Sequence, residues 1–123
     1  MTEESMPEEV RDLIMKHIDS VAQLEALLFL HARPAEQWEM AAIAKRLYAP
    51  PGDMTAALAG LVGDGFVTRI DERYCWVRNS GHAAAVAALA DAYDRHLVPI
   101  TNLIHSKPRH IRAFSDAFKL RKE

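Results

Sequence analysis

The chain has 123 residues, half of them hydrophobic, which suits one domain with a single core. Its apolar runs at 21–30 and 83–90 fall far short of the roughly 20 residues that cross a bilayer, and the first nine residues carry four glutamates where a secretory signal would carry cations. Together with the single cysteine, Cys75, these features read as a cytoplasmic protein that neither spans a membrane nor forms an internal disulfide.

Pro7, Glu8 and Glu9 make a good helix opening, because proline is tolerated in a first turn and carboxylates favour the positive end of the helix dipole. Val10, Leu13, Ile14 and Ile18 then share one face. Asp19 or Ser20 can cap a second, densely apolar helix that runs to about Ala32, where Arg33-Pro34 ends it. Gln37-Trp38-Glu39 reads as a brief edge strand leading directly into a helix from Met40 to about Tyr48. Ala49-Pro50-Pro51-Gly52 breaks that helix, and Asp53 is expected to cap the next one through about Asp64, with Met54, Leu58, Leu61 and Val62 buried and Gly65 reversing the chain. Phe66-Val67-Thr68-Arg69-Ile70 and Tyr74-Cys75-Trp76-Val77-Arg78 surround Asp71-Glu72-Arg73 and predict a hairpin with a three-residue turn.

Asn79 and Ser80 are expected to cap a long helix to about His105, kinked or broken between Arg95 and Pro99. Val86, Ala90, Tyr93, Leu97, Ile100 and Ile104 recur every three or four residues, a stripe suited to packing across a dimer axis. Ser106-Lys107-Pro108 starts a final short helix on which Ile111, Phe114 and Phe118 share a face. Residues 107–123 carry Lys107, Arg109, Arg112, Lys119, Arg121 and Lys122 against Asp116 and Glu123, a net +4 in a chain of net −2. Such a tail suits phosphates or an acidic partner, or is merely solvated.

The element order predicts a mainly helical α+β fold: a winged helix-turn-helix over residues 1–80, with the hairpin as the wing, and a C-terminal helical extension over 81–123. The segment 20–78 resembles the bacterial winged helix-turn-helix regulators of the MarR, PadR and ArsR type. The resemblance rests on Trp38, the Ile43-Ala44-x-x-Leu47 helix and the Leu58-x-x-Leu61-x-x-x-Gly65-Phe66-Val67 run into the wing. It implies a dimeric DNA-binding regulator.

Nothing in the chain calls for catalysis, a cofactor or a metal. The six histidines, at 17, 31, 82, 96, 105 and 110, include no i, i+4 pair beside a carboxylate. Cys75 sits mid-strand with no base beside it, the serines have no strand-turn-helix elbow, and the glycines form no phosphate loop. Trp38, Phe66, Tyr74 and Trp76 read as packing residues.

Two functions remain. In the first, a homodimeric DNA-binding transcriptional regulator touches phosphates through Lys45, Arg46, Arg69, Arg73 and Arg78, with Thr55 near the bases. Yet the outward positions of its recognition helix, Asp53, Thr55, Ala56, Ala59, Gly60 and Gly63, lack the arginine, asparagine or glutamine of bidentate base readout. In the second, a winged-helix protein-interaction module has given up sequence-specific readout and binds a partner, an acidic protein among them. Its contacts would be the alanine- and glycine-rich helix, the dimer stripe at Val86, Tyr93, Leu97, Ile100 and Ile104, and the tail at Phe114 and Phe118.

Overall fold

A computed structural model describes residues 6–78 and 81–106. Helix α1 (Glu8–His17) opens after Pro7, with Glu8 and Glu9 in its first turn and Lys16 and His17 in its last, charges placed to suit the dipole at both ends. Its stripe of Val10, Leu13 and Ile14, extended by Ile18, is buried. Each such side chain contributes about 1.5–3 kcal/mol on leaving water. Helix α2 (Val21–His31) is capped by Ser20, whose hydroxyl accepts the Gln23 amide proton at 3.1 Å. It runs through the middle of the core, with Leu24, Ala26, Leu27 and Leu30 fully covered.

Strand β1 (Trp38–Glu39) passes directly into α3 (Met40–Leu47), and α4 (Pro51–Gly63) follows after a short turn. Strands β2 (Val67–Ile70) and β3 (Arg73–Trp76) form the wing, and β1 adds antiparallel to β3, giving the sheet order β1-β3-β2. This order of helices and strands is that of a winged helix, mainly α with a small antiparallel sheet. Two further helices, α5 (Ala83–Tyr93) and α6 (Leu97–Ser106), extend it. Both pack on α1, so first and last helices close one face together. No helix of the described residues is long and apolar enough to cross a membrane.

Several details differ from the sequence expectations. Helix α4 starts at Pro51 with Pro50 at the cap, so Asp53 lies inside the first turn and does not cap. A proline at the first helical position is preset for the helix and gives up an N–H that would be unpaired anyway. The buried stripe is Met54, Ala57, Leu58 and Leu61, and Val62 is exposed, because it lies one residue, about 100° around the helix, beyond Leu61. The wing turn has two residues, Asp71 and Glu72, since Arg73 pairs with Ile70; Asp71 takes φ 57°, which a short polar side chain tolerates. His82 holds the cap position of α5, while Asn79 and Ser80 lie outside the described residues. The long helix breaks at residues 94–96, and Pro99 falls in the first turn of α6, where its missing N–H costs no hydrogen bond.

The stripe proposed for a dimer axis is largely spent inside the chain. Val86, Ile100 and Ile104 are wholly buried in the same core as α1, Tyr93 is half-buried, and of the five residues only Leu97 is exposed. Helical spacing cannot distinguish a stripe that faces a second copy from one that faces a helix of its own chain.

The contact between α2 and α4 is set by Gln23, the one buried polar side chain among the described residues. Its Oε1 accepts the Asp19 N–H at 2.7 Å and its Nε2 donates to the Ala57 carbonyl at 3.2 Å. A Cβ at Gly60 would overlap that Nε2, so the amide keeps this position between the helices only while residue 60 is glycine. At Gly63 a Cβ would meet nothing within 4 Å. Gly60→Ala is therefore expected to destabilise the fold by about 2 kcal/mol, by displacing a buried, hydrogen-bonded amide. Gly63→Ala is expected to stabilise it by about 0.5–1 kcal/mol through reduced chain entropy. Urea midpoints of the two variants check the opposite signs.

Candidate functional site

In a winged helix the surface available to a partner lies where the start of the first helix of the turn, the outward side of the second and the wing come together. Here that surface is a notch of about 350 Å³ between the beginning of α3 (Met40, Ala41), Thr55 on α4, and Arg69, Glu72 and Tyr74 on the wing, with Glu39 at its edge. Its charges are mixed. Arg69 donates from Nε to the Asp71 carbonyl at 2.9 Å and lies over the Tyr74 ring at 5.9 Å. Arg73 on the wing faces Glu39 of β1 at 3.9 Å, both well exposed. Exposed pairs of this kind contribute at most about 1 kcal/mol. The pair sets the Glu39 carboxylate beside Arg73, a cation that would otherwise invite a phosphate.

Of the six residues expected to contact DNA, two line the notch and a third pairs with its edge. Thr55 and Arg69 line the notch, and Arg73 reaches it through Glu39. The Thr55 hydroxyl donates to the Pro51 carbonyl at 2.9 Å, closing it onto its own helix. Arg46 is diverted to an aromatic pair, its guanidinium 5.5 Å from the Phe29 ring centre and 5.4 Å from that of Trp38. Arg33 also lies over the Phe29 ring, at 4.0 Å. Lys45 and Arg78 are exposed, the first in the last turn of α3, the second beyond the end of β3. Along α4 the outward side chains are Asp53, Thr55, Ala56, Ala59 and Val62, with Gly63 at the end. That face is nearly uncharged and short-chained.

The aromatic residues serve as packing, as their positions on the strands predict. Phe29 and Trp38 meet edge to face at 4.8 Å, as do His31 and Trp76 at 4.9 Å, and Phe66 is wholly buried. His17 bridges the ends of three helices: its Nδ1 is 3.0 Å from Asp64 Oδ2, and its ring lies 5.2 Å from Phe66 and 5.0 Å from His82. Among the described residues no group of three or more His, Cys, Asp or Glu is arranged to hold a metal ion. Cys75 is half-buried in β3. Tyr93 ties α5 to α2 by donating to Glu25 Oε2 at 3.4 Å. Burial first, and then the Glu25 carboxylate, push its phenol above its ordinary value. Phe114, Phe118 and the cationic tail lie outside the described residues.

Sequence reasoning passed over Tyr48. It follows α3 in the left-handed region, at φ 58°, with its side chain 95% exposed. The Ala49 amide closes on the Ala44 carbonyl at 3.0 Å and the Tyr48 amide on Lys45 at 3.4 Å, the paired bonds that usually surround a glycine. Gly65 fills the equivalent place after α4, at φ 85°, with Phe66 N bonded to Leu61 O and Gly65 N to Val62 O. One helix end thus uses glycine, and the other uses an exposed tyrosine held in a conformation that costs an L-residue about 1–2 kcal/mol. The signal was present in the sequence: Tyr-Ala-Pro-Pro ends a helix with neither glycine nor asparagine to take the left-handed position.

No family model matches the chain, and no curated protein is significantly similar to it.

Two outcomes follow from this geometry. Tyr48→Gly is expected to raise stability by about 1 kcal/mol while Tyr48→Ala does not, because alanine keeps the strained Cβ; thermal unfolding of the pair checks it. Tyr93 is held as the neutral phenol, so its stabilisation is fully present below pH ~10 and is lost as pH rises through the higher folded value. The difference in alkaline phenolate absorbance between the wild type and Tyr93→Phe is expected to show a midpoint above that of a free phenol.

Proposed function

We propose that the chain is a winged-helix protein-interaction module, with the outward face of α4 as its contact surface. The observation that carries this reading is the chemistry of that face. Thr55, Ala56, Ala59, Val62 and Gly63 present no side chain able to make a bidentate contact to a base, and the Thr55 hydroxyl proton is committed to the Pro51 carbonyl. Asp53, Glu39 and Glu72 add negative charge where phosphates would come. A short-chained helix face instead permits close approach of another helix. Gly63 fits that use, since among the described residues no atom requires a glycine there and its helical position costs stability. Tyr48, shortly before the start of α4 in sequence, is exposed and strained and has the character of an interface anchor.

A second reading is the one that the resemblance to MarR-, PadR- and ArsR-type regulators implies: a cytoplasmic, homodimeric, DNA-bound regulator. The exposure of Arg69, Arg73, Arg78 and Lys45 favours it, and two copies would double those cations. Contact of this kind is to the backbone, falls steeply with salt and carries little sequence information.

Retention of fragmented genomic DNA across a salt series separates the readings. The expected result is weak, unselective retention that disappears near physiological salt and is abolished by Arg69→Glu with Arg73→Glu. A short palindrome enriched at physiological salt would establish the regulator and sink the proposal. A photo-crosslinking residue at position 59 is expected to trap a discrete protein in cells, whereas the same residue at Arg11 on α1 is not.

A further inference from the structure

Arg33 follows α2 and Arg46 stands in the last turn of α3, two places in the chain that the fold brings to one ring. The Arg33 guanidinium carbon lies 4.0 Å from the centre of Phe29, and that of Arg46 lies 5.5 Å from the same point and 5.4 Å from the centre of Trp38. Phe29 is buried and meets Trp38 edge to face, so the two rings form a fixed floor beneath both cations. Arg73 and Arg95 each stand beside a carboxylate, Glu39 and Asp91 respectively. Among the described residues neither Arg33 nor Arg46 has a carboxylate at ion-pair distance. Glu36, which follows Arg33 in the loop, is turned instead to the Trp38 indole, whose N–H it accepts at 2.9 Å.

A guanidinium laid on a ring engages its face and leaves its N–H edge open. Arg33 uses one N–H on the Phe29 carbonyl, at 3.1 Å, and Arg46, which is exposed, makes no hydrogen bond among the described residues. Two planar forks are thus held beside one ring, and an anion placed between them relieves their mutual repulsion. We propose that Arg33 and Arg46 form a binding site for a phosphate monoester. Its charge near pH 7 approaches two, against two guanidinium groups. Its three terminal oxygens accept forked contacts of about 2.8 Å from both, the exposed Arg46 closing the remaining gap by rotation of its outer bonds. A phosphodiester has one charge and one terminal oxygen fewer, and satisfies the pair less well. Stacking presets the forks, so little side-chain freedom is lost on binding. The monoester is either a free phosphate compound or a phosphorylated side chain of a protein partner, and the recognising chemistry is the same. The site lies on α2 and α3, and it stands independently of the reading of α4.

Titration of the full ¹⁵N chain with inorganic phosphate, at about pH 8 and constant ionic strength, tests this through the arginine Nε–H resonances. The expected result is a saturable shift of Arg33 and Arg46 with a Kd on the order of millimolar, while Arg69, Arg73 and Arg78 stay in place. A capped phosphoserine peptide flanked by alanines that moves the same two resonances at lower concentration identifies a side-chain source, and a response to inorganic phosphate alone identifies a free one. Arg46→Lys keeps the charge and loses the fork, and is expected to weaken binding about tenfold, with the Phe29 amide resonance showing that the fold is intact. Glu36→Gln removes the competing carboxylate and is expected to strengthen binding about threefold. Dimethyl phosphate, the unit of a nucleic-acid backbone, is expected to bind about tenfold more weakly than phosphate. Lack of saturation, equal shifts at the wing arginines, dimethyl phosphate binding as tightly as phosphate, or wild-type binding by Arg46→Lys would overturn the proposal.

Discussion

The side-chain amide of Gln23 sets the relation between the two helices on which the rest of the winged helix is hung. It joins the chain turn at Asp19 to the middle of α4, across a gap that Gly60 keeps narrow. A buried amide is costly unless every polar group finds a partner, and here both ends do. The result is a directional lock inside an otherwise apolar contact. Apolar packing alone would let α4 slide or rotate by a fraction of a turn at little cost; the lock does not. With α4 fixed, the glycine-mediated reversal at Gly65 fixes where β2 begins, and β2 carries β3 and then β1. The outward face of α4 and its place beside the wing follow from a contact on its inward side.

The same lock divides the glycines of α4 by purpose. In the sequence, Gly60 and Gly63 look alike as small residues on an exposed helix. One is required by the chain's own packing and the other is not, and only the latter says anything about a partner. The charges divide in a similar way. Counting arginines suggests a cationic patch, but Arg46 is laid on Phe29 and Trp38, Arg73 faces Glu39, and Arg69 is folded over Tyr74. A guanidinium committed to a ring or a carboxylate is still a charge, but it no longer sits in an open field of one sign.

Most of the fold was legible in the sequence, because its signals are local. Ser20 caps a helix, Arg33-Pro34 stops one, Gly65 reverses the chain, and two β-branched runs flank a polar turn. What escaped depends on contacts distant in the chain. The stripe at Val86, Ile100 and Ile104 has the period of a dimer seam, and only the position of α1 shows that its partner is internal. The turn length at Asp71-Glu72 depends on which residue of β3 pairs with Ile70, which composition does not specify. Of the candidate surface, the poverty of α4 in base-reading groups was visible from residue identity alone. The closing of Thr55 onto Pro51, the carboxylate beside Arg73 and the exposure of Tyr48 were not, since each is a matter of geometry.

Because α1 packs on α5 and α6, its burial during synthesis waits for helices made much later. At about 5–20 residues per second, several seconds or more pass between synthesis of Ile18 and synthesis of Ile104. Over that interval the segment from α2 through the wing can assemble around Gln23, while α1 still lacks the cover of α5 and α6. The glutamates at positions 8 and 9 and the cations at Arg11 and Lys16 keep that waiting helix well hydrated. The packing of α1 against α5 and α6 thus comes after the winged helix between them is in place.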